Sequence, residues 1–266
     1  MSQPDPPPGP TRPRRIEVLA TSVGAARRAL EGGADRIELC ENDPQGGTTP
    51  SAGTIETVLE LAAAAGVPVH VMMRPRGGGF VFDADERAVL RRDARLATEL
   101  GAHGLVVGAL TEQGTVDRDL VAELVELADG RNVTFHRALD VASDFHAAAA
   151  TAFELGCNRV LTSGGAPSAP EGAVALAQLV REAPEGCIVM AGGGISPAAV
   201  PELVRTTGVT EIHVSARGYR TDGASPSPPG MVGVTAGPTP QWPTNGWPAP
   251  DVRLLAEFRS ALDSAD

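Results

Sequence analysis

"ELGCNRVLTS", residues 154–163, runs from the end of an amphipathic stretch through a glycine into a short apolar, β-branched run. The same order recurs in "EGGADRIELC" (31–40), "ELGAHGLVVG" (99–108) and "TTGVTEIHVS" (206–215). Each time a glycine (Gly33, Gly101, Gly156, Gly208) stands where a helix would end in the left-handed conformation that a side chain disfavours. Such self-similarity marks a chain built from repeated helix–strand units. Further strand-like runs fall at 16–20, 67–73, 132–136 and 187–191. Amphipathic stretches such as "SAGTIETVLELAAAA" and "DADERAVLRRDARLATEL" separate them, and a last helix is expected over 251–263. Eight such units in 266 residues predict an α/β fold, a single-domain (β/α)8 TIM barrel, better than an open doubly wound sheet.

The repeat also sets the phase of the strands. Ile37, Leu105, Val160 and Ile212 follow the four glycines at the same interval, and they are assigned to the face beneath the helices together with Leu39, Val107, Thr162 and Val214. Glu38, Val106, Leu161 and His213, then Cys40, Gly108, Ser163 and Ser215, point to the barrel axis. Alternation adds Glu17 and Leu19 from the first strand, His70, Met72 and Arg74 from the third, and Thr134 and His136 from the fifth. Barrel interiors are ordinarily filled by branched apolar side chains, so this collection of acids and imidazoles is not filler.

Composition narrows the function. The net charge of -11 argues against nucleic acid or an anionic membrane as partner. A small-molecule anion or a metal ion is expected instead, with a homodimer left open. No charged leader precedes an apolar run and no long apolar run occurs, which predicts a soluble, cytoplasmic protein. All 22 basic residues are arginine, which removes Schiff-base lysine chemistry and P-loop phosphate binding. Cys40, Cys157 and Cys187 lack CxxC spacing, so neither a disulfide framework nor structural zinc is expected. Residues 1–14 are Pro-rich and read as a disordered tail to a domain over 15–266. Residues 221–250, also rich in Pro and Gly, read as a lid or mobile insert.

Strands 8, 1 and 2 are neighbours in a closed barrel, so His213, Glu17 and Glu38 should converge. Two nearby carboxylates push one pKa up, which suits an acid/base pair or a divalent-cation site. A buried structural network, neutralised by His213 and an arginine, is the competing reading. Arg74, before the Gly77–Gly79 turn, suits a substrate carboxylate or phosphate, or else a salt bridge to Glu17 or Glu38. His136, in "VTFHRALD" (133–140), is expected to move a proton or act as a ligand, the alternative being a core histidine. Arg137 and Asp140 suit a rim ion pair, and His70, His103 and His146 suit structural roles. Gly193, Gly194, Ser215 and Arg217 follow strands 7 and 8, where many barrels hold a phosphate on backbone N–H groups, near a helix beginning about Ser196–Pro197.

"GGADRIELC", "GGTTPSAGTI", "MMRPRGGGFVF", "GLVVGALTEQGTVD", "VTFHRALD", "RVLTSGG", "MAGGGI" and "HVSARG" together resemble the CutC family, named for copper homeostasis, over about residues 15–220. The resemblance implies a TIM barrel and a cytoplasmic role in copper tolerance, with Cu(I) bound by cysteines near the barrel mouth. The family's strand 2 cysteine is present as Cys40, whereas Leu19 replaces the strand 1 cysteine. The resemblance therefore implies weak Cu(I) binding through Cys40 alone, with Met72, Met73 or Met190 as candidate soft partners. The Pro-rich segment after "VSARG" also departs from the family pattern.

Two functions follow as expectations. One is a CutC-like copper homeostasis protein holding Cu(I), or a divalent metal. The other is a barrel lyase or isomerase acting on a small phosphorylated or carboxylated substrate. In it Glu17, Glu38 and His213 form the acid/base or metal centre, His136 assists proton transfer and Arg74 clamps the anion. No dinucleotide fingerprint appears, so no nucleotide cofactor is expected.

Overall fold

A computed structural model describes residues 14–221 and 246–265. Eight parallel strands close into a barrel in chain order, the eighth pairing with the first. The first four are β1 (Arg15–Ala20), β2 (Arg36–Leu39), β3 (Val69–Met72) and β4 (Gly104–Val107), followed by helices α1 (Val23–Glu31), α2 (Ala52–Ala63), α3 (Ala84–Glu99) and α4 (Arg118–Leu127). The second four are β5 (Asn132–Phe135), β6 (Arg159–Thr162), β7 (Ile188–Gly192) and β8 (Glu211–Val214). Helices α5 (Phe145–Glu154), α6 (Ala173–Glu182) and α7 (Val200–Thr207) follow β5, β6 and β7. After β8 a two-stranded antiparallel ribbon, β9 (Arg217–Thr221) and β10 (Gly246–Pro250), leads into α8 (Val252–Asp263). The ribbon takes up both ends of the stretch read as a lid. Residues 1–13 and 222–245, where the rest of that reading and the tail fall, lie outside the described residues.

The sequence signals act as anticipated. The four repeat glycines all have positive φ, 79°, 96°, 100° and 73°, so each reverses the chain out of a helix toward the next strand. Helix starts are fixed by side-chain caps. Asp83 accepts from the Glu86 backbone N–H while Glu86 reaches back to the Asp83 N–H, an arrangement contributing about 1 kcal/mol. On α2, Ile55, Val58, Leu59 and Ala62 form the buried stripe against the barrel.

Strand phase agrees with the repeat. Ile37, Leu105, Val160 and Ile212 are completely buried in the shell between strands and helices. Burial of each contributes roughly 1.5–3 kcal/mol. Cys40, Met72 and Val106, with Leu19 against them, form a separate small apolar cluster. One step back along the same phase, three residues after each glycine, lie Arg36, Gly104, Arg159 and Glu211. Arg36, Arg159 and Glu211 are buried, at 1%, 4% and 3% exposure, so the barrel floor is ionic.

Candidate functional site

The floor carries the site above it. Arg36 donates through Nε to Glu17 Oε2 (2.5 Å) and through Nη2 to Glu211 Oε2 (2.5 Å), and Arg159 Nε donates to the same Glu211 oxygen (2.8 Å). Two guanidiniums thus balance two carboxylates in a region without water contact. Burial alone would lower the Arg36 pKa, but Glu17 and Glu211 raise it above the ordinary range, so the charge is permanent.

Above this layer the strand register sets Glu17 opposite His213 and Leu19 opposite Glu38. His213 Nδ1 is 2.8 Å from Glu17 Oε1, and its Nε2 is 3.7 Å from Glu38 Oε2. The convergence expected from β8, β1 and β2 is therefore present. Burial opposes ionisation of Glu17, yet Arg36 and then His213 hold its carboxyl far below the usual carboxylate range. Glu38 has no such arginine contact. Burial pushes its carboxyl up to about 7, the Glu17 charge adds to this, and His213 only partly offsets it. For His213, burial disfavours the imidazolium, but Glu38 and Glu17 together raise its pKa. Glu38 Oε1 is buried with no hydrogen-bond partner among the described residues.

Glu17, Glu38 and His213 each offer a ligand atom, all within 4.8 Å of one another. Carboxylate and imidazole donors suit a divalent ion better than Cu(I). Each Glu17 oxygen already accepts one hydrogen bond, from Arg36 or from His213, so a cation would share Glu17 with these two groups. Proton transfer needs no such sharing.

The other expected site residues lie apart from this cluster. Arg74 pairs with neither glutamate. Its Nη1 donates to the Gln45 and Gly47 carbonyls (2.6 and 2.9 Å) and its Nη2 to the Gly78 carbonyl (2.6 Å). Those bonds tie the loops after β2 and β3 together and leave only Nε without a partner among the described residues. Three of the five guanidinium N–H groups therefore brace loops, and Nε with the second Nη2 hydrogen is what remains for an anion. His136 caps a short 3-10 turn over Arg137–Val141, its Nδ1 accepting from the Ala138 N–H (3.1 Å). It leans on Phe80, ring centroids 5.0 Å apart. Burial, then Arg74, brings its pKa down to about 3, so it is neutral with its proton on Nε2. Burial likewise takes His70 to about 3.

Arg137 and Asp140 form the rim pair, 2.7 Å apart. Asp140 does more, accepting also from Thr162 Oγ1 and from the backbone N–H of Ser163 and Gly165. It thereby locks the loop after β5 to the loop after β6. Gly193, Gly194, Ser215 and Arg217 line one cleft together with Arg137 and His213. Arg217 also reaches Asp43 (2.8 Å). The helix expected near Ser196 begins later. A 3-10 turn, Pro197–Ala199, intervenes before α7, and Ser196 makes no side-chain cap.

Cys40 is completely buried, and burial, followed by Glu38, Asp43 and Glu41, raises its thiol pKa above the ordinary range. A β-carbon built on Gly47 would lie 3.2 Å from Cys40 Sγ and 3.6 Å from Met72 Cε, so thiol and thioether are neighbours under that loop. Sequence reasoning missed Arg36, Arg159 and Glu211. The glycine phase, carried one step further back, would have found them.

Known proteins agree with this architecture. The model of the CutC family matches residues 14–218. A CutC family protein of Xanthomonas campestris pv. campestris (strain 8004) is 48% identical over 76% of this chain and 83% of its own length. A human copper homeostasis protein cutC homolog is 45% identical over 78% of this chain and 75% of its own length. A solved Streptococcus agalactiae structure, described as a copper homeostasis protein CutC, superposes with a TM-score of 0.72 at 31% identity, covering 76% of this chain and 98% of the other. Thiamine phosphate pyrophosphorylase from Pyrococcus furiosus, TM-score 0.59 and 18% identity over 94% of this chain and 96% of its own, shares the barrel alone.

Proposed function

The chain belongs to the CutC family, and from that premise we propose that it is an acid–base enzyme, a lyase or isomerase working on a small substrate at the carboxyl end of the barrel. The observation that carries this reading is the shared imidazole. Glu17, fixed as a carboxylate by Arg36, accepts the His213 Nδ1–H and so orients the ring. The opposite nitrogen faces Glu38, whose carboxyl is pushed up to about 7. Glu38 thus titrates near neutral pH, where a general acid or base is most effective, with His213 Nε2 3.7 Å away as its proton-sharing neighbour. Glu38 Oε1 is the atom free to take a proton from a substrate carbon or return one to it. With no lysine in the chain, a carbanionic or enediolate intermediate would rest on hydrogen bonds and charge, not on an imine.

The human relative is named for copper homeostasis, but the donors here suit tight Cu(I) binding poorly. Cys40 is one thiol whose ionisation its acidic surroundings oppose, and Leu19 stands where a second thiol would be needed. A buried thiol–thioether pair, Cys40 with Met72, supports weak binding at most.

The reading is tested by NMR titration of the His213 imidazole. Wild type should show two coupled steps and Glu38→Gln a single one. In deuterium oxide, small phosphorylated and carboxylated metabolites should exchange an acidic C–H with wild type and stop exchanging with Glu38→Gln. A single uncoupled step in wild type, or unimpaired exchange by Glu38→Gln, would overturn it.

A further inference from the structure

We propose that the substrate is a phosphate monoester, and that Arg137 with the Gly193–Ser196 turn and Ser215 forms the pocket for its phosphate. This rests on the acid–base reading for the identity of the reacting end, but the pocket stands on its own geometry. A cleft of about 450 Å³ opens between the loops after β7 and β8, with Leu254 and Phe258 of α8 as its apolar wall. His213 lines the same cleft, so a molecule bound there reaches the imidazole of the acid–base pair.

The charge of the cleft is the first argument. The chain carries 33 acidic residues against 22 basic, yet among the described residues the lining includes two arginines, Arg137 and Arg217, one histidine and no carboxylate. Asp140 and Asp43 pair with these arginines from outside it. A cleft spared acidic side chains in so acidic a protein is built for an anion.

Donor geometry is the second. Arg137 is held from behind, Nε on Asp140 (2.7 Å) and Nη2 on Ser163 Oγ (2.9 Å). Among the described residues no hydrogen bond takes its Nη1. That nitrogen lies so close to Gly193 that a β-carbon there would stand 2.9 Å from it. Gly193 also has φ 99°, so two independent constraints exclude a side chain and keep the backbone beside the guanidinium. The backbone N–H groups of Gly194, Ile195 and Ser196 donate to no acceptor among the described residues. Ala216, on the same wall, has φ 41°, a strained backbone of the kind that collects at binding sites. One guanidinium edge, several N–H groups and the Ser215 hydroxyl make more donors than a carboxylate's two oxygens use, and they suit the three terminal oxygens of a phosphate. Arg137 and Arg217 are each paired with an aspartate, but Arg137 also sets Nη1 against the Gly193 turn, so it is the cation that discriminates.

The test uses the full chain and inorganic phosphate, with acetate as the carboxylate probe, at constant ionic strength by isothermal titration. Wild type should bind phosphate saturably, at least tenfold more tightly than acetate. Arg137→Gln should weaken phosphate at least tenfold, and Gly193→Ala, which leaves the arginine but crowds its Nη1, should weaken it comparably. Arg217→Gln should change it less than threefold. Glu38→Gln should bind phosphate like wild type, so loss of exchange in that variant with phosphate binding intact separates the two readings. Should Arg137→Gln fail to fold, Gly193→Ala decides. No saturable phosphate binding, equal or tighter acetate binding, or wild-type affinity in the folded pocket variants would each overturn the assignment.

Discussion

Glu17 and Glu38 face one imidazole from its two sides and titrate in opposite directions. Glu17 lies 2.8 Å from His213 Nδ1 and 2.5 Å from Arg36, whereas Glu38 lies 3.7 Å from His213 Nε2. Equal burial disfavours both carboxylates, so the difference is made by the guanidinium beneath the first. Two identical groups thereby acquire two roles, a fixed charge and a movable proton.

That asymmetry sets a pH dependence. Glu38 holds its proton more tightly in the folded state, with a pKa moved from 4.5 to about 7. Its stabilising effect is complete below about pH 4.5 and is lost as pH rises through 7, since the folded state must then bear a buried carboxylate. Glu17 runs the other way, contributing above the ordinary carboxylate range and losing that contribution as pH falls through its lowered value. Glu38→Gln removes the first effect. Urea unfolding should find it close to wild type near pH 5 and more stable by about 2 kcal/mol at pH 8. A variant that loses as much stability as wild type between those two pH values would refute the assignment.

The ionic floor gives a second expectation. Among the described residues, Arg36 alone forms an ion pair with both Glu17 and Glu211. In Arg36→Met the methionine fills much of the volume, but Glu17 loses its countercharge where solvent cannot replace it. The loss should be about 3–5 kcal/mol in denaturant unfolding at pH 7. A loss below about 1 kcal/mol would mean that the floor is hydrated and its charges are not buried.

Much of this was legible before any coordinates. Four glycines fixed the phase of β2, β4, β6 and β8, because a left-handed helix end places the next strand's residues at constant offsets. That phase brought Glu17, Glu38 and His213 to one axis without reference to any relative. Loop side chains were not legible in the same way. Arg74 sits on an inward position, yet its long stem carries the guanidinium out of the barrel to three loop carbonyls. Strand alternation says where a Cβ points and nothing of where the rest of a long side chain goes. Arg137 and Asp140 form the rim ion pair that their place at the end of β5 suggests, but the free edge of Arg137 depends on the path of the loop after β7, which no periodicity describes.

Inward glycines are placed for their lack of a side chain. A β-carbon on Gly108 would stand 2.2 Å from His136 Cε1 and 2.3 Å from its Nδ1. The ring cannot retreat, since Phe80 backs it and its Nδ1 caps the turn at Ala138. Gly108→Ala should cost about 2–3 kcal/mol by overpacking, read as a lowered urea midpoint with unchanged m-value. Full wild-type stability would show that the ring has another place to go.

Copper offers the last test. Leu19, Cys40, Met72 and Val106 share one apolar cluster at the barrel mouth. A cysteine introduced at position 19 would therefore enter the surroundings of Cys40 without disturbing the ionic floor. Cu(I) prefers two soft anionic sulfurs, and the second thiolate supplies what burial and nearby carboxylates deny to the first. In competition with a chromophoric Cu(I) chelator, wild type should bind weakly and Cys40→Ser should differ from it little. Leu19→Cys should bind at least a hundredfold more tightly, and Cys40→Ser in that background should abolish the gain. Tight wild-type binding that disappears with Cys40→Ser would instead establish the lone thiol, with Met72 beside it, as a sufficient copper site.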